Sequence, residues 1–279
     1  MAGSFTDYPG NHDRNIAGLS AYQQQQAYGT GCEEVSLYDN APKVLGEGAN
    51  SATTTAQGTR AYHASALYMD AQIGVILEAL DQSPARLDTI VIFLGDHGFH
   101  LGDHALYGKH TNYDGSTKVP LLIRPALRDS AKYQIGSKSY APVELLDLMP
   151  TLYEMAELTV VRSKYKAWEG VSLVPILHDP HNASVKKGAV SQYFRGTGAA
   201  KQFGYSIRTV RFRLTNWFGR FQEFFDYLDD DFETRIVEDY ATKQTLLSTL
   251  EQVQNKKFGE PFDFAERDKM ASKPMMQYP

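Results

Sequence analysis

The chain has 279 residues, enough for one large domain or for one domain with a small appendage. Its composition, 42% hydrophobic and 22% charged, fits a globular protein, and no apolar run reaches membrane-spanning length. The formal net charge of −5 offers no basic surface for nucleic acid, so we expect neither nucleic acid nor a membrane as a partner. No secretory signal is recognisable at the first residues, and the compartment is left open.

Residues 1–60 differ in composition from the rest of the chain. They are rich in Gln, Ser, Thr and Gly and poor in aliphatic residues, which predicts loop or weakly ordered structure. We interpret them as a remnant without packing partners. Residues 63–80 then carry apolar side chains in two stripes at helical spacing, which predicts a well-buried helix.

A strand is predicted over residues 89–94, an almost unbroken apolar run rich in β-branched residues. Such a run is typical of a parallel strand covered by helices on both faces. Gly95 and Gly98 allow a sharp turn at its carboxyl end, the edge where ligands bind in open α/β sheets. There Asp96 and His97 offer a carboxylate oxygen and an imidazole nitrogen to a divalent cation. An ordinary turn in which Asp96 caps the next helix is the alternative.

Residues 119–123 form the next apolar run, and Pro120 near its start indicates an edge strand or a strand entry. A helix is predicted over residues 142–155, with a kink or break at Pro150.

Residues 205–217 alternate between apolar and polar, which predicts a small antiparallel sheet with one face in water. Arg208, Arg211 and Arg213 fall on the predicted wet face. A further helix is predicted around residues 245–253, followed by a flexible tail.

Three motifs follow one another around the strand at residues 89–94. They are Gly95-Asp-His-Gly-Phe-His-Leu-Gly-Asp-His104, Gly108-Lys-His-Thr-Asn-Tyr-Asp114 and Val119-Pro-Leu-Leu-Ile123. Their order closely resembles the type I sulfatase family, and within it the iduronate-2-sulfatase branch. The resemblance extends over roughly residues 60–240, but only the segment around Asp96 is specific enough to indicate function.

This resemblance implies an α/β fold: an alkaline-phosphatase-like mixed sheet with flanking helices, plus a small C-terminal antiparallel subdomain. The expected division is a poorly ordered remnant or loop region at 1–60, an α/β core portion at 61–185, the antiparallel subdomain with its helix at 186–258, and a flexible tail at 259–279. The implied activity is sulfuric ester hydrolysis on a sulfated carbohydrate such as 2-sulfo-iduronate.

The resemblance also implies roles for individual residues. Asp96 and His97 would bind the divalent cation, with calcium expected and magnesium possible. Lys109 would be catalytic and contact the sulfate oxygens, because an ammonium group is a compact point charge. His100 would be a further substrate-binding residue. Outside this pattern, Lys109 would be an ordinary surface lysine and His100 a packed structural histidine.

The family's nucleophile is a formylglycine, made from the first residue of a Cys/Ser-x-Pro-x-Arg motif. The single cysteine, Cys32, lacks that proline and arginine, and no equivalent serine motif occurs. The Asp-Asp pair that completes the family's cation site is also absent before residue 89. We therefore expect the chain to be the second part of a sulfatase and to be inactive alone.

Three alternatives remain open. A phosphonate or phosphate monoesterase of the same superfamily uses a similar Asp-His-Gly motif and lysine. A non-catalytic relative could bind sulfated glycans. An upstream reading frame could supply the nucleophile motif and restore the enzyme.

Overall fold

The computed structural model describes residues 52–101, 103–105, 107–109, 111–158, 169–195, 202–217 and 221–255. The helices described are α1 (Ala52–Asp81), α2 (Asp114–Thr117), α3 (Leu148–Met155), α4 (Val174–His178) and α5 (Tyr240–Asn255). The strands described are β1 (Val91–Leu94), β2 (His100–Leu101), β3 (Tyr107–Gly108), β4 (Leu121–Arg124), β5 (Ala189–Arg195), β6 (Gln202–Arg208), β7 (Phe212–Trp217) and β8 (Phe221–Asp226). The predictions for residues 1–51 and for the tail at 259–279 lie outside the described residues.

Helix α1 differs from its prediction in length and in burial. It begins at Ala52, so residues 52–60, the end of the predicted remnant or loop region, are helical. The predicted deep burial was wrong, because large apolar side chains of α1 are exposed. Helix α1 contacts the 3₁₀ turn Pro84–Leu87 and strand β2, which leaves most of its circumference uncovered by the described residues. No helix in the described ranges is long and apolar enough to cross a bilayer.

Strands β1 and β4 confirm the two predicted strands but pair in a different direction. They form an antiparallel pair, with Val91 opposite Arg124 and Leu94 opposite Leu121. Within the described residues β1 has no parallel neighbour, and its Phe93 is exposed rather than covered. The chain returns from β1 to β4 through the β2–β3 hairpin and α2, and an antiparallel partner needs no helical crossover.

Helix α3 begins later than predicted. A 3₁₀ turn, Leu145–Asp147, precedes it, and the α-helix runs from Leu148 to Met155. Pro150 therefore lies in the first turn of the helix, where a backbone N–H has no acceptor within the helix, so the proline removes no hydrogen bond. The predicted kink inside the helix was wrong.

A buried lysine joins the start of α3 to the C-terminal sheet. Lys186 Nζ forms an ion pair with Glu144 and lies 2.6 Å from Asp147 Oδ1. The same carboxylates accept from the backbone: Val190 N–H donates to Glu144 Oε1 at 2.7 Å, and Val171 N–H to Asp147 Oδ1 at 2.9 Å. Two carboxylates and one ammonium are thus sealed together with their hydrogen-bonding groups used.

The C-terminal sheet is antiparallel in the order β5-β6-β7-β8. Helix α5 contains the predicted segment 245–253 and packs Leu250 against Ile207, Leu214 and Phe224. The predicted alternation over residues 205–217 corresponds to two strands, β6 and β7, joined by a turn.

The predicted wet face of this sheet is buried along β7. On β7 the residues from Arg213 to Trp217 are all buried, because the segment that follows Lys109 covers that face. The predicted division between residues 61–185 and 186–258 stays a prediction, although strand β5 does begin at Ala189.

Candidate functional site

Asp96 and His97 lie in the loop directly after β1, and their side chains face each other. Asp96 Oδ2 is 3.5 Å from His97 Nε2. The backbone N–H of His97 donates to Asp96 Oδ1 at 3.0 Å, and His97 Nδ1 lies 2.8 Å from the carbonyl oxygen of Gly98. Because a carbonyl oxygen only accepts, we assign the proton to Nδ1, which leaves Nε2 of the neutral ring with its lone pair.

The pair presents two electron donors to solvent. The Asp96 side chain is 85% exposed and the His97 side chain 37% exposed. An exposed carboxylate beside a neutral imidazole nitrogen suits a hard dication, and the contact of Nδ1 with Gly98 orients the ring in the usual way for a ligand. The pair is a partial site: the described residues contain no group of three or more His, Cys, Asp or Glu that could hold a metal ion.

Lys109 follows β3, the second strand of the hairpin that β2 opens. The register sets His100 opposite Gly108, so one further step sets Lys109 opposite Phe99, two residues after His97. Lys109 is half-buried, and its carbonyl accepts from the N–H of Thr111 at 2.9 Å. The Asp96–His97 loop therefore leads into the first strand of the hairpin, and Lys109 directly follows the second strand.

His100 is completely buried, which favours the structural alternative, and its contact with substrate stays a prediction. Nδ1 forms an ion-pair contact with the Asp103 carboxylate, and Nε2 lies 2.8 Å from Thr111 Oγ1. Both ring nitrogens are therefore used within the protein, as the alternative reading of a structural histidine requires. Burial opposes ionisation of Asp103, but the hydrogen bond and charge of His100, together with the hydrogen bond from the N–H of Leu101, outweigh it and lower the pKa of that carboxyl group.

Glycines let the loops of the site approach each other closely. A Cβ at Gly98 would collide with the carbonyl oxygen of Gly115, and a Cβ at Gly115 would collide with the His100 ring. The N–H of Gly98 donates to the carbonyl of Ser116 at 2.8 Å. Gly98 is thus needed for close approach, and not only for the turn that the sequence predicted.

His104 is a buried, neutral histidine in the segment that joins β2 to β3. Its backbone is in the left-handed region, with φ of 52°, and its ring stacks on Tyr113 with centroids 4.6 Å apart and planes 13° apart. Burial lowers the pKa of His104 to about 4, although the nearby Asp103 favours the protonated form. No hydrogen bond to Nδ1 occurs within the described part of the chain.

The residues after Lys109 are bound to the C-terminal sheet by side chains. Asn112 Nδ2 donates to the carbonyl of Gly204 at 3.0 Å. The hydroxyl of Tyr113 donates to Glu223 Oε1 at 2.5 Å, and Glu223 Oε2 accepts from Trp217 Nε1 at 2.8 Å. These bonds fix the segment on strands β6, β7 and β8.

Arg213 is the centre of this attachment. Its side chain is 1% exposed and forms ion pairs with Asp114 and with Glu233, whose Oε1 is 2.6 Å from Nε. Its Nη1 donates to the carbonyl oxygen of Asn112 at 2.5 Å. Glu233 also accepts from the N–H of Asp114 at 2.8 Å. Arg208 forms a further ion pair with Asp114, with Nε 3.3 Å from Oδ1.

The charges of this cluster shift one another's pKa values. Burial raises the pKa of Asp114, but attraction to Arg213 and then Arg208 outweighs it and leaves the pKa lowered. For Glu233 the effect of burial is larger than the effect of attraction to Arg213, so the pKa of this carboxyl group is raised. Burial also raises the pKa of Tyr227, whose hydroxyl lies between Arg213 and Glu233.

Sequence reasoning missed several residues that position the site. Arg213 lies 99 positions from its partner Asp114 and 20 positions from its partner Glu233, and no local pattern reports either pair. The signal that could have found one of them is the alternation in β7, where arginine stands between apolar residues. The missed residues are Asp103, Thr111, Asp114, Arg213, Glu223 and Glu233.

Two family models match the chain. The model described as Sulfatase matches residues 7–158, more than half of the chain. A second model, described as N-sulphoglucosamine sulphohydrolase, C-terminal, matches residues 102–258. The chain belongs to the sulfatase family. As a type I sulfatase family member it has the predicted alkaline-phosphatase-like α/β fold class.

The sulfatase chain is similar to longer proteins. Iduronate 2-sulfatase of Mus musculus is 31% identical over 207 residues, which are 57% of this chain and 38% of that protein. The solved phosphonate monoester hydrolase of Agrobacterium radiobacter has a TM-score of 0.61 and 25% identity, over 73% of this chain and 42% of that one. A protein solved in complex with its substrate D-glucosamine-2-N,6-O-disulfate shares the fold, with a TM-score of 0.60 and 24% identity, over 87% of this chain and 47% of that one. The sulfatase chain spans less than half of each.

Replacing Arg213 by methionine is expected to lower the free energy of unfolding by about 3–5 kcal/mol, because Asp114 and Glu233 would remain buried without their counter-charge. Arg128 is 64% exposed and pairs at 2.6 Å with Asp88, which is 61% exposed. Arg128→Met is the matched control and should cost no more than about 1 kcal/mol. Urea unfolding followed by circular dichroism measures both. Equal, small effects would contradict the role assigned to Arg213.

His104 gives the fold a specific acid sensitivity. Because its folded pKa of about 4 lies below the ordinary 6.5, the neutral ring contributes stability that is complete above pH 6.5 and is lost as the pH falls towards 4. From pH 7 to pH 4.5 the loss should be about 2–3 kcal/mol, and His104→Phe should remove that part of the pH dependence. His181→Gln, at an exposed position, should retain the full slope of unfolding free energy against pH. A His104→Phe curve parallel to the wild-type curve would refute this assignment.

Proposed function

We propose that this chain carries the cation-binding and sulfate-binding elements of a sulfatase that acts on a sulfated sugar. Asp96 and His97 bind a divalent cation, with calcium expected and magnesium as the alternative. Lys109 contacts the sulfate oxygens. The observation that carries the proposal is the exposed, face-to-face arrangement of Asp96 and His97 at the end of β1.

The electrostatics of the hairpin support this assignment. In sulfate ester cleavage the sulfate group keeps negative charge on its oxygens, and the leaving oxygen gains more as the bond breaks. A cation bound at Asp96 would supply Lewis-acid stabilisation of that charge. The ammonium group of Lys109 would add a second positive charge, which needs no fixed fork geometry to meet an oxyanion.

The proposal is limited to binding by the residues present. The sequence contains no Cys/Ser-x-Pro-x-Arg motif, so no residue here is assigned as the precursor of formylglycine, and we derive no nucleophilic step. The sugar class follows from similarity alone: the iduronate 2-sulfatase relative shares 31% identity with the chain. A sulfated uronate is therefore the first substrate class to test.

A phosphonate monoester hydrolase is the second candidate function. It is favoured by the similarity to the Agrobacterium radiobacter enzyme, at a TM-score of 0.61. A phosphonate monoester has a single ionisable oxygen and carries one negative charge at neutral pH, as a sulfate monoester does. The two candidates therefore differ in the central atom of the bound group and its substituents, and not in net charge.

The full chain should bind calcium with a dissociation constant of about 10⁻⁴–10⁻³ M, as expected for an exposed site with few protein ligands. Asp96→Asn should weaken binding at least about tenfold, because a neutral amide replaces the anionic ligand. Asp70→Asn, at an exposed position on α1, is the charge-matched control and should leave the affinity unchanged. Calcium titration followed by NMR measures both variants. Identical affinities in the wild type and Asp96→Asn would reject the cation site.

Binding of the ester group can be tested with methyl sulfate, whose calcium salt is soluble, and with methyl methylphosphonate, a phosphonate monoester of the same charge. We expect methyl sulfate to bind in the presence of calcium, and Lys109→Met to abolish that binding. Lys138→Met, at an exposed lysine, should have no effect. Tighter binding of methyl methylphosphonate would favour the phosphonate monoester hydrolase. Binding of a sulfated glycan that does not depend on Lys109 or calcium would favour a non-catalytic relative.

A further inference from the structure

The segments that carry Asp96–His97 and Lys109 are connected by a chain of buried polar side chains. Thr111 Oγ1 lies 2.8 Å from His100 Nε2 and 2.8 Å from Ser116 Oγ. At the other end, His100 Nδ1 contacts the Asp103 carboxylate, and Asp103 Oδ1 accepts from the N–H of Leu101 at 3.0 Å. His100, Thr111 and Ser116 are all buried, so water does not compete for these bonds.

The direction of the hydrogen bonds follows from their partners. The carboxylate of Asp103 only accepts, so the His100 nitrogen that faces it is the donor. In the neutral ring the other nitrogen then accepts from the Thr111 hydroxyl. The Thr111 oxygen in turn accepts from the N–H of Tyr113 at 3.2 Å, and Ser116 completes the chain. A change at Thr111 therefore leaves buried partners unsatisfied on both sides.

Close packing transmits displacements along the same path. Gly115 contacts the His100 ring with no room for a Cβ, and Gly98 contacts Gly115 in the same way. Gly98 directly follows His97, while Thr111 lies two residues after Lys109 and donates its N–H to the Lys109 carbonyl. Neither segment can shift without displacing the His100 ring or breaking its hydrogen bonds.

We propose that His100, Asp103 and Thr111 are positioning residues that hold the Asp96–His97 loop at a fixed separation from Lys109. This inference rests on the proposed function, because it assumes a cation at Asp96–His97 and an ester anion at Lys109. A fixed separation makes the two binding events cooperative: calcium bound at one segment favours the anion held by the other. Ligand couplings between sites commonly amount to about 5- to 150-fold in affinity.

The test measures the coupling itself. In the full chain, the dissociation constant for methyl sulfate is determined by NMR with no calcium and with saturating calcium, and the ratio is the coupling factor. We expect a factor of about tenfold in the wild type and of about twofold or less in Thr111→Val, which keeps the shape of the side chain but not its hydroxyl. Thr111→Ser, which restores the hydroxyl, should recover the wild-type factor.

The outcomes distinguish the inference from the function on which it rests. If the wild type binds neither calcium nor methyl sulfate, the proposed function fails. If both ligands bind and Thr111→Val keeps the coupling factor while the melting temperature and both separate affinities fall, the residue is only structural and the inference is overturned. Should Thr111→Val not fold, Asp103→Asn replaces it. That isosteric change should reduce the factor, and an unchanged factor would overturn the inference equally.

Discussion

The burial of Arg213 between Asp114 and Glu233 is the constraint on which the arrangement of the site depends. A guanidinium group loses its hydration when it is buried, and opposed charges with complete hydrogen bonding are required to offset that loss. Here the compensating groups come from two distant parts of the chain. The segment after Lys109 carries Asp114. It must therefore lie on the C-terminal sheet, because Arg213 would otherwise be buried without one of its two counter-charges.

This constraint explains why the C-terminal sheet belongs to the site although it supplies none of the proposed ligands. Arg213 binds the carbonyl oxygen of Asn112 directly, and Tyr113 is held by Glu223 on the next strand. The segment that follows Lys109 is thus held by β7 and β8, and the β2–β3 hairpin packs around the His100 ring. The ligand-bearing groups remain exposed or half-buried, while the residues that orient them are buried. Such a division is usual where precise placement of a polar group matters.

Local sequence signals predicted what depends on neighbouring residues. Strand β1, the loop at Asp96–His97 and helix α5 were recognised from an apolar run, a glycine-flanked pair and helical spacing. Side-chain alternation also predicts β7, but it does not report what lies over the polar face. It places Arg213 in water because it carries no information on contacts with Asp114 and Glu233. The motif around His100 likewise does not report that Asp103 and Thr111 contact both nitrogens of its ring. Helix α1 failed differently: its apolar stripes predict a covered helix, whereas the described residues leave it largely uncovered.

The buried cluster of Lys186, Glu144 and Asp147 has an evolutionary consequence. Loss of Lys186 would leave two carboxylates without a counter-charge in a buried region, and loss of either carboxylate would leave a backbone N–H without its acceptor. Lineages can therefore cross between this arrangement and an apolar one only by exchanging several positions together. Among sulfatases with the same junction, we expect these three residues to be retained together. A replacement at one position should be accompanied by replacements at the others.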